Sequence, residues 1–232
     1  MAIEQSSMIS RDSTATAVKI CGIKEEATLQ GMRGLAIDYI GLMFAPSKRQ
    51  VTLTQAGELR EAVQSIPMAG GKPPRTVGVF VNPTWEQLQE TVTQTKLDVV
   101  QLHGNETPEF CRRVRDELNV EVWRALSVGS EEAELGAQRL TPYRQAVTTI
   151  LLDTAGGGTG QTFGWDAIPT YQKVADELGL TLFIAGGLNE NNADQLIQTY
   201  HPQGVDLSSG VETNGVKDNT KITAFVERVK QS

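Results

Sequence analysis

The stretch LTLFIAGGLNENNADQLIQTYHPQGVDLSSG, residues 180–210, contains one complete strand–helix–strand unit. Its two apolar runs, Thr181–Ala185 and Val205–Ser208, have the length of buried strands, and each leads into a turn that contains glycine. Between the two runs, apolar residues recur at the i, i+3, i+4, i+7 spacing of one helical face: Ala193, Leu196, Ile197 and Tyr200. This pattern predicts two strands joined by a crossover helix.

The same unit recurs along the rest of the chain, where strand-length apolar runs alternate with amphipathic stretches. Successive runs begin 21 to 37 residues apart, which is enough for a helix and two loops. Eight units predict an α/β fold, a closed (β/α)8 TIM barrel in a single domain; the alternative is a doubly wound open sheet, which usually has fewer strands. The eight predicted strands are Val18–Cys21, Tyr39–Phe44, Thr76–Val81, Asp98–Leu102, Glu121–Ala125, Thr149–Leu152, Thr181–Ala185 and Val205–Ser208.

Helix boundaries are also predicted by local signals. Thr84 and Gln87 have the spacing of a capping box, and Thr107 followed by Pro108 is typical of an N-cap with proline at the first helical position. Gly179 is placed to end the sixth helix. These signals support helices between the predicted strands.

Composition limits the kind of protein. The chain has 232 residues, 28 Asp and Glu against 21 Lys and Arg, and a formal net charge of −7. With 39% hydrophobic residues it has the composition of a globular protein, and its pI near 5.0 argues against a broad nucleic-acid surface. A small anionic ligand remains compatible with this charge, because backbone N–H groups and one or two cations can hold a phosphate locally.

The remaining segments favour a cytoplasmic protein without a membrane span. Residues 1–16 are rich in Ser and Thr and lack an apolar core, which predicts a flexible tail rather than a secretory signal, followed by a catalytic barrel over residues 17–232. Two cysteines ninety residues apart, Cys21 and Cys111, form neither a disulfide framework nor a paired metal motif. We expect a monomer or a homodimer.

Glycines follow the last two predicted strands, where barrels of this type bind phosphate. Gly186 and Gly187 follow strand seven, and Ser209 and Gly210 follow strand eight. Any single pair is better explained as a simple turn, but two such turns at these strands favour a phosphate site. A third glycine-rich run, Gly156–Gly160, follows strand six and predicts a mobile loop that closes on a ligand.

Ionisable residues end other strands. Cys111 fits a packing role on a helix stripe, whereas Cys21 precedes a glycine and a helix start, where a helix end or a cation can favour the thiolate. Asp153 follows the apolar run Ile150–Leu152, so its carboxylate is predicted to be buried and to need a partner or a raised pKa. It is either a structural carboxylate or the acid that complements a cysteine base.

Two further polar residues have two readings each, and two others are predicted to form an ion pair. Arg49 is either a solvated basic turn or a guanidinium that holds a carboxylate at the barrel rim. His103 is either a core histidine or a side chain that lines the site. The strand period of two places Lys19 on the face of Cys21 and Asp206 on the face of Ser208, so a closed barrel predicts an interior Lys19–Asp206 ion pair.

Taken in order, the motifs at the strand ends resemble the phosphoribosylanthranilate isomerase family of tryptophan biosynthesis. The resemblance extends from the first strand to the last helix and leaves out only the first 16 residues. The motifs that carry it are Lys19–Ile23, Ser47–Arg49, Val77–Asn82, Val100–Gly104, Leu151–Thr154, Gly158–Gly160 with Thr162, Phe163 and Trp165, Ala185–Leu188, Asp206–Glu212 and Gly215–Asp218.

The resemblance implies an Amadori rearrangement of N-(5-phosphoribosyl)anthranilate to the 1-amino-1-deoxyribulose 5-phosphate. It implies that Cys21 removes the proton from ribose C2, that Asp153 protonates the furanose ring oxygen, and that Arg49 orients the anthranilate group. It implies no metal or organic cofactor, because the substrate's own nitrogen forms the imine. The residues expected to bind the phosphorylated substrate are Arg49, His103, Gly158, Gly186, Gly187, Ser209 and Gly210.

Two rival functions remain open at this point. A histidine-pathway isomerase runs the same rearrangement on an aminoimidazole substrate, but that family uses aspartate where Cys21 stands. A non-catalytic phosphate-binding barrel is free to lose the acid and the base, whereas both are present in this sequence. The cysteine and the aspartate therefore favour the tryptophan branch.

Overall fold

The computed structural model describes residues 15–129, 132–154 and 162–231. Eight parallel strands close into a barrel in the order β1 to β8, with β8 paired to β1, so the closed barrel is confirmed and the open sheet is excluded. The strands are β1 (Ala17–Cys21), β2 (Tyr39–Met43), β3 (Arg75–Phe80), β4 (Val99–Leu102), β5 (Glu121–Val128), β6 (Thr149–Thr154), β7 (Thr181–Ile184) and β8 (Gly204–Leu207).

Helices alternate with the strands, and a short hairpin follows β8. The hairpin consists of β9 (Glu212–Thr213) and β10 (Val216–Lys217), which pair antiparallel. The helices are α1 (Glu26–Gly31), α2 (Leu53–Ser65), α3 (Trp85–Thr95), α4 (Pro108–Leu118), α5 (Ala133–Gln138), α6 (Ile168–Leu178), α7 (Ala193–Tyr200) and α8 (Asn219–Gln231).

The predicted helix boundaries are confirmed where the signals were clear. Thr84 and Gln87 exchange both hydrogen bonds of a capping box at the start of α3. Thr107 caps α4 by accepting from the N–H of Phe110, with proline next in the chain. Gly179 ends α6 in the left-handed conformation, at φ +71°. Each terminus therefore satisfies backbone groups that a bare helix end leaves unpaired.

Two predicted strands are too short. The prediction ended β5 at Ala125 and β6 at Leu152, yet the two strands stay paired as far as Val128 and Thr154. Asp153 was taken as a strand end, but in this barrel Asp153 and its register partner Ser127 continue the ladder, because polar side chains can face the open mouth.

Burial alternates along each strand between two separate apolar cores. On β1, Val18 and Ile20 pack outward beneath the helices, whereas Ala17 packs on the core inside the barrel. The interior core is centred on three aromatic rings, Tyr39, Trp123 and Phe183, whose centroids lie 4.7 to 5.8 Å apart. Odd-numbered residues of β1 therefore face the interior, which includes Lys19 and Cys21.

Some predictions fall on residues outside those described. The predicted tail, residues 1–16, lies mostly within residues 1–14, and the predicted closing loop Gly156–Gly160, with Gly158, lies within residues 155–161. Thr16 itself is buried and donates to the carbonyl of Pro202 at 2.9 Å. The division at residue 17 stays a prediction. Within the described ranges, no helix is both long and apolar enough to cross a membrane.

Candidate active site

The predicted ion pair lies inside the barrel below the C-terminal ends of β1 and β8. Lys19 and Asp206 are register partners on these neighbouring strands. The Lys19 Nζ lies 2.9 Å from the Asp206 Oδ1, and the two side chains are 0% and 9% exposed. Burial acts to lower the pKa of Lys19, but Asp206 and Cys21 raise it above the ordinary value, so the ammonium stays charged. The prediction of this pair is confirmed.

Cys21 ends β1 one interior position above Lys19 and is 4% exposed. Burial raises the pKa of its thiol; Lys19, which hydrogen-bonds to it, and Lys217 act in the opposite direction, but burial prevails. Of the two expected sources of thiolate stabilisation, the cations are present, because Lys19 and Lys217 both act to lower the pKa of the thiol, although burial outweighs them. The helix α1 begins only at Glu26, after an extended segment, so the nearby lysines rather than the helix end oppose the desolvation.

Asp153 faces the interior near the end of β6 and has two polar partners among the described residues. Its Oδ1 accepts from the backbone N–H of Thr154 at 2.7 Å, and its Oδ2 lies 3.4 Å from the Nε2 of His103. The Nδ1 of His103 lies 3.4 Å from the Nε2 of Gln101. Both ring nitrogens of His103 therefore have a polar neighbour, Asp153 on one side and Gln101 on the other.

The glycine-bearing turns after β7 and β8 lie side by side. Gly186, at φ +84°, lies so close to β6 that a Cβ there would be 2.8 Å from the Asp153 Oδ1. A Cβ on Gly210 would overlap the carbonyl oxygen of Leu188 in the other turn. Both positions therefore need glycine, and the two turns form one surface next to the Asp153 carboxylate.

Arg49 lies at the rim, in the loop after β2, and is held by a carboxylate from the far end of the chain. Its Nε and Nη2 donate to the two oxygens of Glu212 at 2.5 and 3.0 Å. Lys217 and Lys48 approach the same carboxylate at 3.0 and 3.2 Å. Burial acts to raise the pKa of Glu212, but Arg49 and Lys217 hold it down at about 2, so Glu212 is ionised at neutral pH.

Arg124 lies within β5, which extends beyond the predicted strand Glu121–Ala125, and its side chain faces outward. Its guanidinium donates to the carbonyl oxygens of Leu102 and Gly104 at 2.9 and 2.6 Å and lies 3.5 Å from Glu106. Glu106 in turn accepts from the N–H of Gly104 at 2.8 Å. Arg124 therefore braces the segment that carries His103.

The structure brings most of the predicted residues to one end of the barrel. Three participants were not singled out from the sequence: Gln101, Glu212 and Lys217. Glu212 meets Arg49 across 163 residues of chain, and no local pattern signals such a contact. Gln101 is 1% exposed, and its Oε1 has no hydrogen-bond partner in the part of the chain that the structure describes. An interior glutamine on a strand has no motif of its own in the sequence. Among the described residues, no group of three or more His, Cys, Asp or Glu side chains could hold a metal ion.

Comparison with protein families and curated sequences gives a consistent result. A family model described as N-(5'-phosphoribosyl)anthranilate (PRA) isomerase matches residues 18–228. The N-(5'-phosphoribosyl)anthranilate isomerase of Brevibacillus brevis is 47% identical over 220 residues, covering 93% of this chain and 94% of the relative. The enzyme of the same name from Listeria welshimeri is 42% identical over 217 residues, covering 92% of this chain and 98% of the relative.

Solved structures agree with the sequence relatives. The phosphoribosyl anthranilate isomerase of Thermotoga maritima superposes with a TM-score of 0.76 at 32% identity, covering 94% of this chain and 100% of that one. A phosphoribosyl anthranilate isomerase in complex with reduced 1-(o-carboxyphenylamino)-1-deoxyribulose 5-phosphate superposes with a TM-score of 0.74 at 31% identity and the same coverage. The similarity therefore extends over the whole barrel.

Proposed function

Because the chain belongs to the N-(5'-phosphoribosyl)anthranilate isomerase family, we propose that Cys21 and Asp153 carry out the proton transfers of that reaction. The protein is an aldose–ketose isomerase of tryptophan biosynthesis. It converts N-(5-phosphoribosyl)anthranilate to 1-(2-carboxyphenylamino)-1-deoxy-D-ribulose 5-phosphate by an Amadori rearrangement. The observation that supports the assignment is that both side chains face the barrel interior at the C-terminal ends of β1 and β6.

Asp153 opens the ring as the general acid. Its carboxyl proton goes to the furanose ring oxygen, the C1–O bond breaks, and the lone pair of the anthranilate nitrogen forms a protonated C1=N Schiff base. The carboxyl group accepts from the N–H of Thr154 through Oδ1, and its Oδ2 contacts the Nε2 of His103. These two contacts fix the orientation of the carboxyl group for the proton transfer.

Cys21 then acts as the general base. The thiolate takes the proton from C2, and the C2–H electron pair moves to form the C1=C2 bond while the nitrogen becomes neutral. The enolamine takes a proton at C1 and loses the one on its C2 hydroxyl, which gives the amino ketone. The Lys19 ammonium next to Cys21 stabilises the thiolate against the desolvation that raises the pKa of the thiol.

The remaining predicted residues bind and orient the substrate. Arg49 binds the anthranilate carboxylate, and the backbone N–H groups of Gly186, Gly187, Ser209 and Gly210 bind the phosphate. His103 contacts the sugar from the side of Asp153, and Gly158, which lies outside the described residues, is a further substrate-binding residue of the proposal. The ligand named for the superposed relative carries both a carboxyl group and a phosphate, which supports two anion-binding ends in this site.

Three properties of the whole chain complete the proposal. Residues 17–232 form the catalytic barrel, and removal of residues 1–14 leaves the turnover number unchanged. The enzyme acts in the cytoplasm, which its two free cysteines support. It is a monomer or a homodimer, and sedimentation equilibrium at several concentrations distinguishes the two.

The function is tested by following the fluorescence of phosphoribosylanthranilate after the purified protein is added. The expected result is a loss of fluorescence at a rate proportional to enzyme concentration. A parallel assay with the aminoimidazole substrate of the histidine pathway is expected to show no turnover. Turnover in the second assay alone would contradict the assignment to the tryptophan branch.

A further inference from the structure

Glu212 is the most highly paired carboxylate at the mouth of the barrel. It accepts from Arg49 through both oxygens, at 2.5 and 3.0 Å, and it contacts two lysines, Lys48 and Lys217, at 3.2 and 3.0 Å. Its side chain is only 5% exposed. The proposed acid–base chemistry does not use this carboxylate, so its tight and repeated pairing needs a separate explanation.

Glu212 uses only some of the N–H groups of the Arg49 guanidinium. A guanidinium has two edges that can each bind a carboxylate bidentately, one formed by Nε and one Nη, the other by the two Nη atoms. Glu212 occupies the edge formed by Nε and Nη2. Within the described part of the chain, Nη1 makes no hydrogen bond, so the outer edge is open to a second carboxylate.

The stem of Arg49 lies directly beside the base. A Cβ placed on Gly22, the residue after Cys21, would lie 2.5 Å from the Cδ of Arg49. The guanidinium is therefore placed next to the end of β1, where the reacting part of the substrate must lie. A small rotation of this group about its stem would move a bound carboxylate relative to the Cys21 thiol.

We propose that Glu212 is a positioning residue that holds the inner edge of Arg49, so that the outer edge binds the anthranilate carboxylate in a fixed orientation. This inference rests on the proposed role of Arg49. Glu212 also begins the hairpin that follows Ser209 and Gly210, and Lys217 of the same hairpin donates to the Ser208 carbonyl at 2.8 Å. One carboxylate thereby links the anthranilate end of the site to the phosphate end.

The charge of the cluster is compatible with this role. Three cations, Lys48, Arg49 and Lys217, surround the single Glu212 carboxylate, so the cluster carries a positive excess although the whole chain is at −7. A second carboxylate can therefore enter without net repulsion. If charge alone mattered, neutralising Glu212 would strengthen binding of the substrate; if orientation matters, it would weaken binding.

The test compares two ligands by calorimetry on the full chain. One is reduced 1-(o-carboxyphenylamino)-1-deoxyribulose 5-phosphate, and the other is its counterpart without the aromatic carboxyl group. We expect Glu212→Gln to weaken binding of the carboxylated ligand about tenfold and to leave the other ligand within about twofold. In turnover, the KM rises by a similar factor while kcat stays close to that of the parent chain.

Three variants make the result decisive. Glu61→Gln makes the same chemical change at an exposed position of α2 that does not contact the cluster, and it is expected to bind both ligands normally. Glu212→Asp keeps the charge but shortens the side chain by one methylene, and it is expected to reproduce the loss if Glu212→Gln fails to fold. Arg49→Ala is expected to lose affinity for the carboxylated ligand only.

The outcomes separate the inference from the function on which it rests. Normal binding by Arg49→Ala would overturn the proposed role of Arg49 itself. A loss in Arg49→Ala together with normal or tighter binding by Glu212→Gln would overturn the positioning role alone. Equal losses with both ligands in Glu212→Gln would also overturn it, because a purely structural defect does not distinguish ligands by one carboxyl group.

Discussion

The interior of the barrel has two parts with different contents. The part nearer the N-terminal ends of the strands is filled by the rings of Tyr39, Trp123 and Phe183. The part nearer the C-terminal ends contains polar side chains: Lys19, Cys21, Gln101, His103, Asp153 and Asp206. We refer to them as the aromatic layer and the polar layer.

The same strands build both layers. On β6, Leu151 packs in the interior core, and Asp153, one interior position further along, contacts His103. Because interior-facing residues are two positions apart on a strand, a packing residue is followed directly by a residue of the proposed active site. Apart from the Lys19–Asp206 ion pair, stability and catalysis can therefore be changed separately in this fold, because they depend on different interior positions.

The largest expected effect is on catalysis in the polar layer. Asp153→Asn and Cys21→Ala are each expected to lower kcat about a thousandfold, since each removes one proton-transfer group. The midpoint of thermal unfolding should change little, because neither side chain belongs to the aromatic layer. Fluorescence assays and calorimetric melts check both statements; near-normal turnover in either variant would contradict the roles assigned to these residues.

The converse variant removes the centre of the aromatic layer. Trp123 is fully buried and contacts both other rings, so Trp123→Ala is expected to lower the free energy of unfolding by about 4 kcal/mol. The molecules that remain folded should keep a nearly normal kcat. Urea unfolding measures the free energy of unfolding, and active-site titration gives the kcat of the folded molecules. A variant that is stable but inactive would contradict the separate roles of the two layers.

The ion pair beneath Cys21 belongs to the polar layer but is also structural. Lys19→Met leaves the Asp206 carboxylate buried without its cation and is expected to cost about 3 kcal/mol of unfolding free energy. The double variant Lys19→Met/Asp206→Leu should recover most of that loss, because no unpaired charge is left. Both variants should turn over slowly, since Cys21 loses the ammonium beside it. Recovery of activity along with stability would contradict the electrostatic role of Lys19.

A smaller effect distinguishes the two cysteines. Burial raises the pKa of both thiols, to about 12 at Cys111, and cations oppose the rise at each: Lys19 and Lys217 at Cys21, and Arg124 at Cys111. Position therefore decides: Cys21 ends β1 at the mouth of the barrel, whereas Cys111 is 0% exposed in α4. Iodoacetamide is expected to label Cys21 about tenfold faster than Cys111, and a substrate analogue should protect Cys21 only. Mass spectrometry of the labelled peptides measures both rates, and faster labelling of Cys111 would contradict the position assigned to Cys21.

The smallest effect concerns Glu212 at the rim of the barrel and the way its contribution to stability depends on pH. The pKa of Glu212 is about 2 against an ordinary 4.5, so its pairing stabilises the folded state above pH 4.5 and is lost as the pH falls towards 2. The difference in unfolding midpoint between the parent chain and Glu212→Gln should therefore be constant near neutrality and shrink below pH 4.5. A difference that grows as the pH falls would contradict a stabilising effect of this pairing on the folded state.

Much of the fold follows from local patterns. The run of apolar segments and amphipathic helices predicts the barrel, and the strand period together with closure predicts the contact between Lys19 and Asp206, which the structure confirms. The lengths of β5 and β6 do not follow, because a polar side chain at a strand end and one facing an open mouth look alike in sequence.

The electrostatics of the site are harder to predict. The direction of the pKa shift at Cys21 depends on how completely the barrel excludes water there, which is a property of the closed structure and not of the residues next to it. The contact between Arg49 and Glu212 joins two loops 163 residues apart, and only the folded hairpin after β8 brings them together.

The central claim is that Asp153 opens the ring and Cys21 removes the C2 proton. The most direct measurement is the isotope effect on kcat with substrate deuterated at C2, in Asp153→Asn and in Cys21→Ser. We expect an isotope effect close to unity in Asp153→Asn, where ring opening becomes rate-limiting. In Cys21→Ser we expect a large primary isotope effect, because removal of the C2 proton becomes rate-limiting. The reverse pattern, or the same effect in both variants, would contradict this claim.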